Sequence, residues 1–442
     1  MGNVTPWGRI EELRARRLSP GPGNSPEQVA ENQRQRLFAA MILSCDERGY
    51  GETTVADLLR LSGVSRKTFY EHFSDKEGCF VETAKRTMEF PIALVRDLVE
   101  HQEPGEERVR TTLEALFEMF AAQPGAARLC MVESYAAGKR ATAVAEDGVE
   151  EIYRLGLQAL GDIPERGGID EDLARAILGG FHRVLYYRLA YRREEDLPAA
   201  VGPLWQWAMS YHAPPRALRA RSRQPAFPIG GDRLPSFAAY SVEQRIIRAF
   251  AAVVVEQGFG KATVADVCAA ASVSQATFYA HFEGKEDALA AALDSSGSQM
   301  LAATLPTARR APDWKHAVRA GAGAACGFLA AEPTFARLRC VAVYSAGPDA
   351  IAQRDLSGVE LLRTIIGPVF DNLPNLEPLV VEAIGGAISG IQYEAVARRG
   401  PDALTEVPPL ITYVALAPFL GPEEACDIAN GDGRRSQRRG GA

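Results

Sequence analysis

The sequence predicts an all-α chain built from two copies of one helical unit fused head to tail. Three observations carry that expectation. First, residues 53–77 (TTVADLLRLSGVSRKTFYEHFSDKE) return as residues 262–286 (ATVADVCAAASVSQATFYAHFEGKE) at an offset of 209 with no gap. Between Gly49–Glu77 and Gly258–Glu286, 15 of 29 positions are identical, which marks a duplicated unit rather than a chance motif. Second, apolar residues follow a helical period and no convincing run of period-two alternation appears, so no sheet is expected. Third, the long helical stretch after residue 80 is broken only by short Pro/Gly signals at His101–Glu106, Gln123–Gly125, Gly161–Gly168 and Leu197–Pro203.

Composition bounds the class. At 442 residues the chain has room for two to four domains. Apolar content of 47% and charged content of 24% are those of a soluble globular protein. The net charge of −7 does not advertise nucleic-acid binding, but an acidic body can carry a locally basic edge. The seven cysteines form no CxxC pair and have no histidine at metal-ligand spacing, which argues against a disulfide framework or zinc site and for a reducing cytoplasm. No signal peptide opens the chain, and its longest apolar runs, such as Ile411–Leu420, are shorter than the roughly 20 residues that cross a bilayer. No cofactor or membrane partner is expected. The six histidines are scattered, with no HExxH, GxSxG or phosphate-loop pattern, so an enzyme is not expected.

In order along the chain, residues 1–30 are Pro/Gly-rich and read as a disordered arm, although Arg9–Leu18 has the pattern of a short basic helix that would reach DNA phosphates or the minor groove. Arg34–Arg48 follows a helical period and Gly49 stops it. The next helix opens at Thr54, with Asp57 three residues on as the return half of a capping box; Thr263 and Asp266 repeat the device. Ser62-Gly63 makes a turn and Ser65 caps the helix that follows. The fourth helix is expected to start at Ser74, with Glu77 as its box partner. Residues 213–240 hold five arginines against one aspartate among several prolines, a linker composition. As a coil, 28 residues would span roughly 30 Å.

The repeat continues past the opening motif. Ala127-Arg128-Leu129 matches Ala336-Arg337-Leu338, and Tyr135 and Gly138 match Tyr344 and Gly347, still at offset 209. Gly179-Gly180, Tyr187 and Arg192-Arg193 match Gly385-Gly386, Tyr393 and Arg398-Arg399 at offset 206. The expected division is therefore an arm at 1–30, a helix-turn-helix domain at 31–80, a helical regulatory domain at 81–212, a linker at 213–240, a second helix-turn-helix at 241–290, a second regulatory domain at 291–425, and a basic disordered tail at 426–442.

A helix, a tight turn and a capped second helix suit DNA reading, because the second helix fits the major groove while the first braces against the backbone. Projected at 100° per residue, Phe69 and Phe73 stack inward, while Lys67, Thr68 and Glu71 face out, flanked by Tyr70 with Arg66 and by His72. Tyr279 and His281 recur at the same spacing. Lys76 and Lys285 each stand in a helix's first turn, where the dipole disfavours a cation, so a phosphate clamp is the sharper reading.

These segments, TVADLLRLSGVSRKTFYEHFSDKEGCF and TVADVCAAASVSQATFYAHFEGKEDAL, resemble the DNA-binding domain of the TetR/AcrR family of bacterial transcriptional regulators. Gly179–Leu197 with Pro203, and Gly385–Arg399 with Leu410–Gly421, resemble the family's last two helices. The resemblance implies DNA contacts from Thr54, Ser65, Arg66, Lys67, Thr68, Tyr70, His72 and Lys76, and in the second copy from Thr263, Ser274, Gln275, Ala276, Thr277, Tyr279, His281 and Lys285. It implies double-stranded DNA as partner and a small-molecule effector in the larger domain, where Tyr135, Tyr187, Tyr344 and Tyr393, with Tyr186, Trp205 and Trp207, are candidate lining residues. It also implies repression as the usual mode and pairing through the last two helices.

Family members are normally single-copy chains that dimerise. Here both copies share one chain, so a single-chain pseudo-dimer is expected, with two heads in adjacent major grooves roughly 34–36 Å apart. Pairing of two fused chains is the alternative. The heads are unequal: residues 34–90 balance nine Lys/Arg against nine Asp/Glu, while residues 243–294 hold four against seven. The second head is therefore expected to bind DNA more weakly. A ligand-sensing interaction protein with vestigial heads is the competing class.

Overall fold

The computed structural model describes residues 4–19, 21, 23–163, 169–219, 240–366 and 377–431. Most of the expected linker and most of the expected basic tail lie outside these residues. The chain divides into two compact units, Met1–Ile163 with Leu185–Val201, and Pro164–Val184 with Gly202–Ala442. This division cuts the first copy's last helices in two and assigns part of them to the second unit.

The first unit opens with a difference from expectation. Residues 4–19 are not an unstructured arm. A two-residue antiparallel pair, β1 (Val4–Thr5) with β2 (Gly8–Arg9), leads into helix α1 (Ile10–Ala15). Ile10 and Leu13 are buried and pack with Ala39, Trp7 and Leu43, so apolar docking orders a segment whose Pro/Gly content suggested a coil. Helix α2 (Pro26–Glu52) starts at a capping box: the Gln28 amide donates to Ser25 Oγ at 3.2 Å, and the Ser25 amide to Gln28 Oε1 at 2.8 Å. Its regular course ends at Gly49, whose φ of +79° breaks the helix.

Next come α3 (Val55–Ser62), α4 (Arg66–His72) and α5 (Lys76–His101). The cap of α5 is Asp75, which accepts from the Gly78 amide at 2.7 Å; the expected Ser74 is displaced by one position because a carboxylate reaches the same amide row. Phe69 and Phe73 are buried with Leu37, Phe38, Met41 and Leu58 in one core, as the projection requires. Burying each phenyl contributes roughly 1.5–3 kcal/mol. The unit continues through α6 (Glu106–Ala122), α7 (Pro124–Arg128), α8 (Ser134–Ala136) and α9 (Lys139–Gly161), and ends in the second half of α10 (Glu171–Ala190) and the start of α11 (Leu197–Met209). Pro203 lies inside α11 rather than ending it.

The second unit repeats the order: α12 (Val242–Gln257), α13 (Val264–Ala271), α14 (Gln275–Tyr279), α15 (Lys285–Arg309), α16 (Trp314–Ala331), α17 (Pro333–Cys340), α18 (Pro348–Ile366), α19 (Pro378–Glu394) and α20 (Pro408–Asn430). Helix α20 runs to Asn430, past the expected boundary at 425. The chain from Arg216 to Arg219, expected to belong to the linker, is pinned on it: Arg216 pairs with Asp427, the Arg219 amide donates to Asn430 Oδ1 at 2.8 Å, and Asn430 Nδ2 donates to the Ala217 carbonyl at 3.1 Å.

Within this unit, residues of α10 and α11 pack on α19 and α20. A Cβ on Gly179 would stand 3.7 Å from the Gly390 Cα, and one on Gly180 would stand 2.8 Å from the Ala383 carbonyl oxygen. The repeated glycine pairs thus occupy a helix crossing where backbones nearly touch. Tyr211 and Tyr413, both fully buried, donate in opposite directions, to the Val414 carbonyl at 2.8 Å and the His212 carbonyl at 2.7 Å.

Candidate nucleic-acid interface

Each head is a helix pair held by local caps. Thr54 closes its box with Asp57: the Asp57 amide donates to Thr54 Oγ1 at 3.2 Å, and the Thr54 amide to Asp57 Oδ2 at 3.1 Å. The turn residue Gly63 adopts the left-handed conformation, φ +66°, which a glycine takes without strain. In the second head Ser272 holds the same conformation at φ +55°, at a steric cost that glycine avoids. Ser65 and Ser274 then cap α4 and α14, accepting from the Thr68 amide at 3.1 Å and the Thr277 amide at 3.0 Å.

The structure brings the outward residues of α4 together. Arg66, Lys67 and Tyr70 are exposed, and Tyr70 keeps 48% of its surface accessible although it is a large aromatic. The Arg66 guanidinium lies 5.9 Å from the Tyr70 ring centre, and Lys67 reaches Glu71 at 3.8 Å. Thr54 and Ser65 are exposed but their hydroxyls are engaged in the caps, and Thr68 is half-buried against Ser65 Oγ at 2.9 Å. A hydroxyl so placed fixes the helix start first and reaches a phosphate second.

Two expected contacts sit differently. His72 is half-buried, with Nε2 2.9 Å from Gln33 Oε1. Burial, then the nearby Arg34 charge, lowers its pKa and favours the neutral ring, so it braces α4 against α2. Lys76 Nζ donates to the carbonyls of Tyr50 and Thr53, both at 2.8 Å, and lies 4.1 Å from the Tyr50 ring centre. Its ammonium therefore closes the end of α2, adding to the Thr53 amide that reaches the Tyr50 carbonyl at 3.3 Å, a structural role for a cation at a helix N-terminus.

The second head presents the same scaffold with different chemistry. Gln275, Ala276, Tyr279 and His281 are exposed, Tyr279 at 56%, and Thr277 is half-buried. Thr263 closes its box with Asp266, whose amide donates to Thr263 Oγ1 at 3.2 Å. Lys285 keeps one weaker bond, to the Phe259 carbonyl at 3.3 Å, under the Phe259 ring at 4.6 Å. His281 is exposed where His72 is braced, and Val242 stands where Gln33 stands in the first copy.

Sequence reasoning missed a second shared device. Arg36, buried, donates through Nη1 to the Ser62 carbonyl at 3.0 Å, and Arg245 does the same to the Ala271 carbonyl at 3.3 Å. Each guanidinium satisfies the last carbonyl before the turn. The signal was present, because Arg36 and Arg245 recur at offset 209.

The sequence profile described as "Bacterial regulatory proteins, tetR family" matches residues 44–83 and again 246–292, one match on each head. The chain belongs to the tetR family. Its membership is carried by two matched stretches rather than one. A relative, the HTH-type transcriptional activator FasR of Mycolicibacterium smegmatis, is 24% identical over 173 residues, which is 38% of this chain and 75% of that protein. Two solved structures are similar to parts of it. The fatty acid degradation regulator FadR from Bacillus halodurans (19% identity, TM-score 0.36) spans 40% of this chain and 97% of its own. The FadR from Bacillus subtilis in complex with stearoyl-CoA (18% identity, TM-score 0.35) spans 39% of this chain and 96% of its own. This tetR-family chain is a DNA-binding transcriptional regulator. Among its described residues no helix is long and apolar enough to cross a membrane, and all seven cysteines are buried free thiols.

The helical parts that follow the two heads also differ. Tyr344 and Tyr393 meet edge to face at 5.7 Å, with the Arg354 guanidinium 5.6 Å from the Tyr344 ring centre. Tyr187 stacks on Tyr191 at 5.8 Å and is half-buried, as is Tyr135. Beside Tyr344, the buried Arg339 donates to the Leu293 carbonyl, Ser296 Oγ, the Arg354 carbonyl and Ser357 Oγ. Burial, then the Arg354 charge, lowers its pKa to about 10. The matching positions of the first copy are Cys130, Thr87, Ala145 and Gly148, where Met88 fills the space. One polar core and one apolar core therefore stand at equivalent places.

Proposed function

We propose that this chain is an effector-responsive regulator whose two unequal heads read an asymmetric operator, with the first head giving the stronger half-site. The observation that carries this reading is the contrast between α4 and α14 on one shared scaffold: Arg66, Lys67 and Glu71 against Gln275, Ala276 and Ala280. Arg and Lys address guanine O6/N7, Gln addresses adenine, and Ala with the Thr methyl suits the thymine methyl. A homodimer presents one face twice and so reads a palindrome; this chain presents two faces.

The packing of α10 and α11 residues on α19 and α20 supports a single-chain pseudo-dimer, because those are the helices that the family uses for pairing. Repression is the proposed mode, by occupancy of promoter DNA. Activation is the second reading, favoured by the name of the mycobacterial relative. The effector is a small molecule taken up by the helical regulatory parts, and the polar core at Arg339 supports different ligand preferences in the two copies.

The test is selection of bound duplexes from a random library by the full chain, repeated with Lys67→Ala/Tyr70→Ala and with Gln275→Ala/Tyr279→Ala. The expected result is a non-palindromic site with affinity falling more for the first pair. A palindromic site, or equal losses, overturns the asymmetry. A reporter gene carrying the selected site then separates repression from activation.

A further inference from the structure

The first head has a cationic neighbour that α4 does not supply. Helix α1 docks through Ile10 and Leu13. Around it Arg9, Arg14, Arg16 and Arg17 are exposed, Arg16 and Arg17 just past its last turn. Arg14 reaches the helix-turn-helix itself: its Nε stands 3.6 Å from the place a Cβ on Gly63 would take, with Arg36 Nη1 3.9 Å from the same point. Arg36 feels this crowding, since after burial the charges of Arg17 and Arg14 are what lower its pKa. Among the described residues Arg14, Arg16 and Arg17 make no ion pair, although Glu11 and Glu12 share their helix. Unpaired guanidinium groups gathered beside the turn that leads into a DNA-reading helix repel one another, and a polyanion relieves the repulsion.

We infer that Arg14, Arg16 and Arg17 contact the phosphate backbone of duplex DNA beside the half-site read by α4. The inference rests on the reading of α4 as a DNA-reading helix. Docked through its apolar side, α1 carries Arg14 to the turn at Gly63 with Arg16 and Arg17 just past its end, so they add to the first head's footprint rather than sampling DNA as a free tail. Backbone contacts fix position and strength without carrying sequence information. The arginines therefore account for extra affinity at the first head without altering which bases it prefers.

The experiment compares the full chain with Arg14→Ala/Arg16→Ala/Arg17→Ala and with Arg14→Lys/Arg16→Lys/Arg17→Lys. Binding is read by fluorescence anisotropy on a labelled mixed-sequence duplex and on the duplex recovered by selection, over a range of salt. The alanine variant is expected to give a plot of log affinity against log salt whose slope is shallower by about 2–3, at about 0.9 for each phosphate no longer neutralised. Affinity should fall by the same factor on both duplexes, and the lysine variant should keep the wild-type slope. Unchanged circular dichroism and melting confirm that α1 stays docked. An unchanged slope in the alanine variant, or a loss confined to the selected duplex, overturns the inference. Failure of the wild-type chain to bind either duplex overturns the DNA reading and this inference with it, and is distinguished by occurring before any substitution.

Discussion

At the scale of single residues, the two lysines after the recognition helices separate a structural role from a binding role. Lys76 makes two 2.8 Å bonds to carbonyls at the end of α2 and covers the Tyr50 ring, while Lys285 makes one bond at 3.3 Å. Replacing Lys76 by Ala removes both bonds and leaves the Tyr50 carbonyl only the Thr53 amide at 3.3 Å, so we expect a stability loss of about 1–3 kcal/mol. Lys285→Ala should cost less than about 1 kcal/mol, having a single long bond to lose. Thermal melting of the two full-length variants checks this, and equal shifts would show that the geometry does not govern stability. Residue roles of this kind were only half legible in the sequence. Thr54 with Asp57, Ser65 with Thr68, and the inward Phe69 and Phe73 were readable because their partners lie within four positions. His72 with Gln33 and Lys76 with Tyr50 were not, because the partner is 39 or 26 residues away and only the fold brings it close.

At the scale of elements, the glycine pairs show what a repeat reveals and what it conceals. Their recurrence at offset 206 was visible, but not that the two pairs meet non-equivalently at one crossing. A Cβ on Gly180 would press into the Trp207 ring and the Ala383 carbonyl, whereas one on Gly385 would meet open space. Gly180→Ala is expected to destabilise by about 1–3 kcal/mol through overpacking. Gly385→Ala is expected to stabilise by a few tenths to about 1 kcal/mol, because it only removes backbone freedom from the unfolded chain. Denaturant unfolding followed by far-ultraviolet circular dichroism distinguishes the two, and a loss at Gly385 equal to that at Gly180 would contradict the crossing. Helix α1 is the converse case. Its Pro/Gly-rich flanks concealed it, since the deciding contacts, Ile10 and Leu13 on Ala39, lie across the fold.

At the scale of the whole molecule, the proposed pairing of the last helices would be made within one chain. Here Tyr211 and Tyr413 are fully buried and each donates to a carbonyl contributed by the other copy, while Gly179 sits against Gly386 and Gly390. On the proposed single-chain pairing, the contacts that would recruit a second chain are made within one chain. The expected mass in solution is therefore that of one chain, 47.8 kDa, with one chain bound per operator. Sedimentation equilibrium of the free protein and of its duplex complex measures both quantities. Twice the chain mass in the free protein would mean that four heads assemble, and the operator would then regain the two-fold symmetry that a single chain lacks. The operator's symmetry and the solution mass must therefore agree: an asymmetric site with a 47.8 kDa species, or a palindromic site with its double.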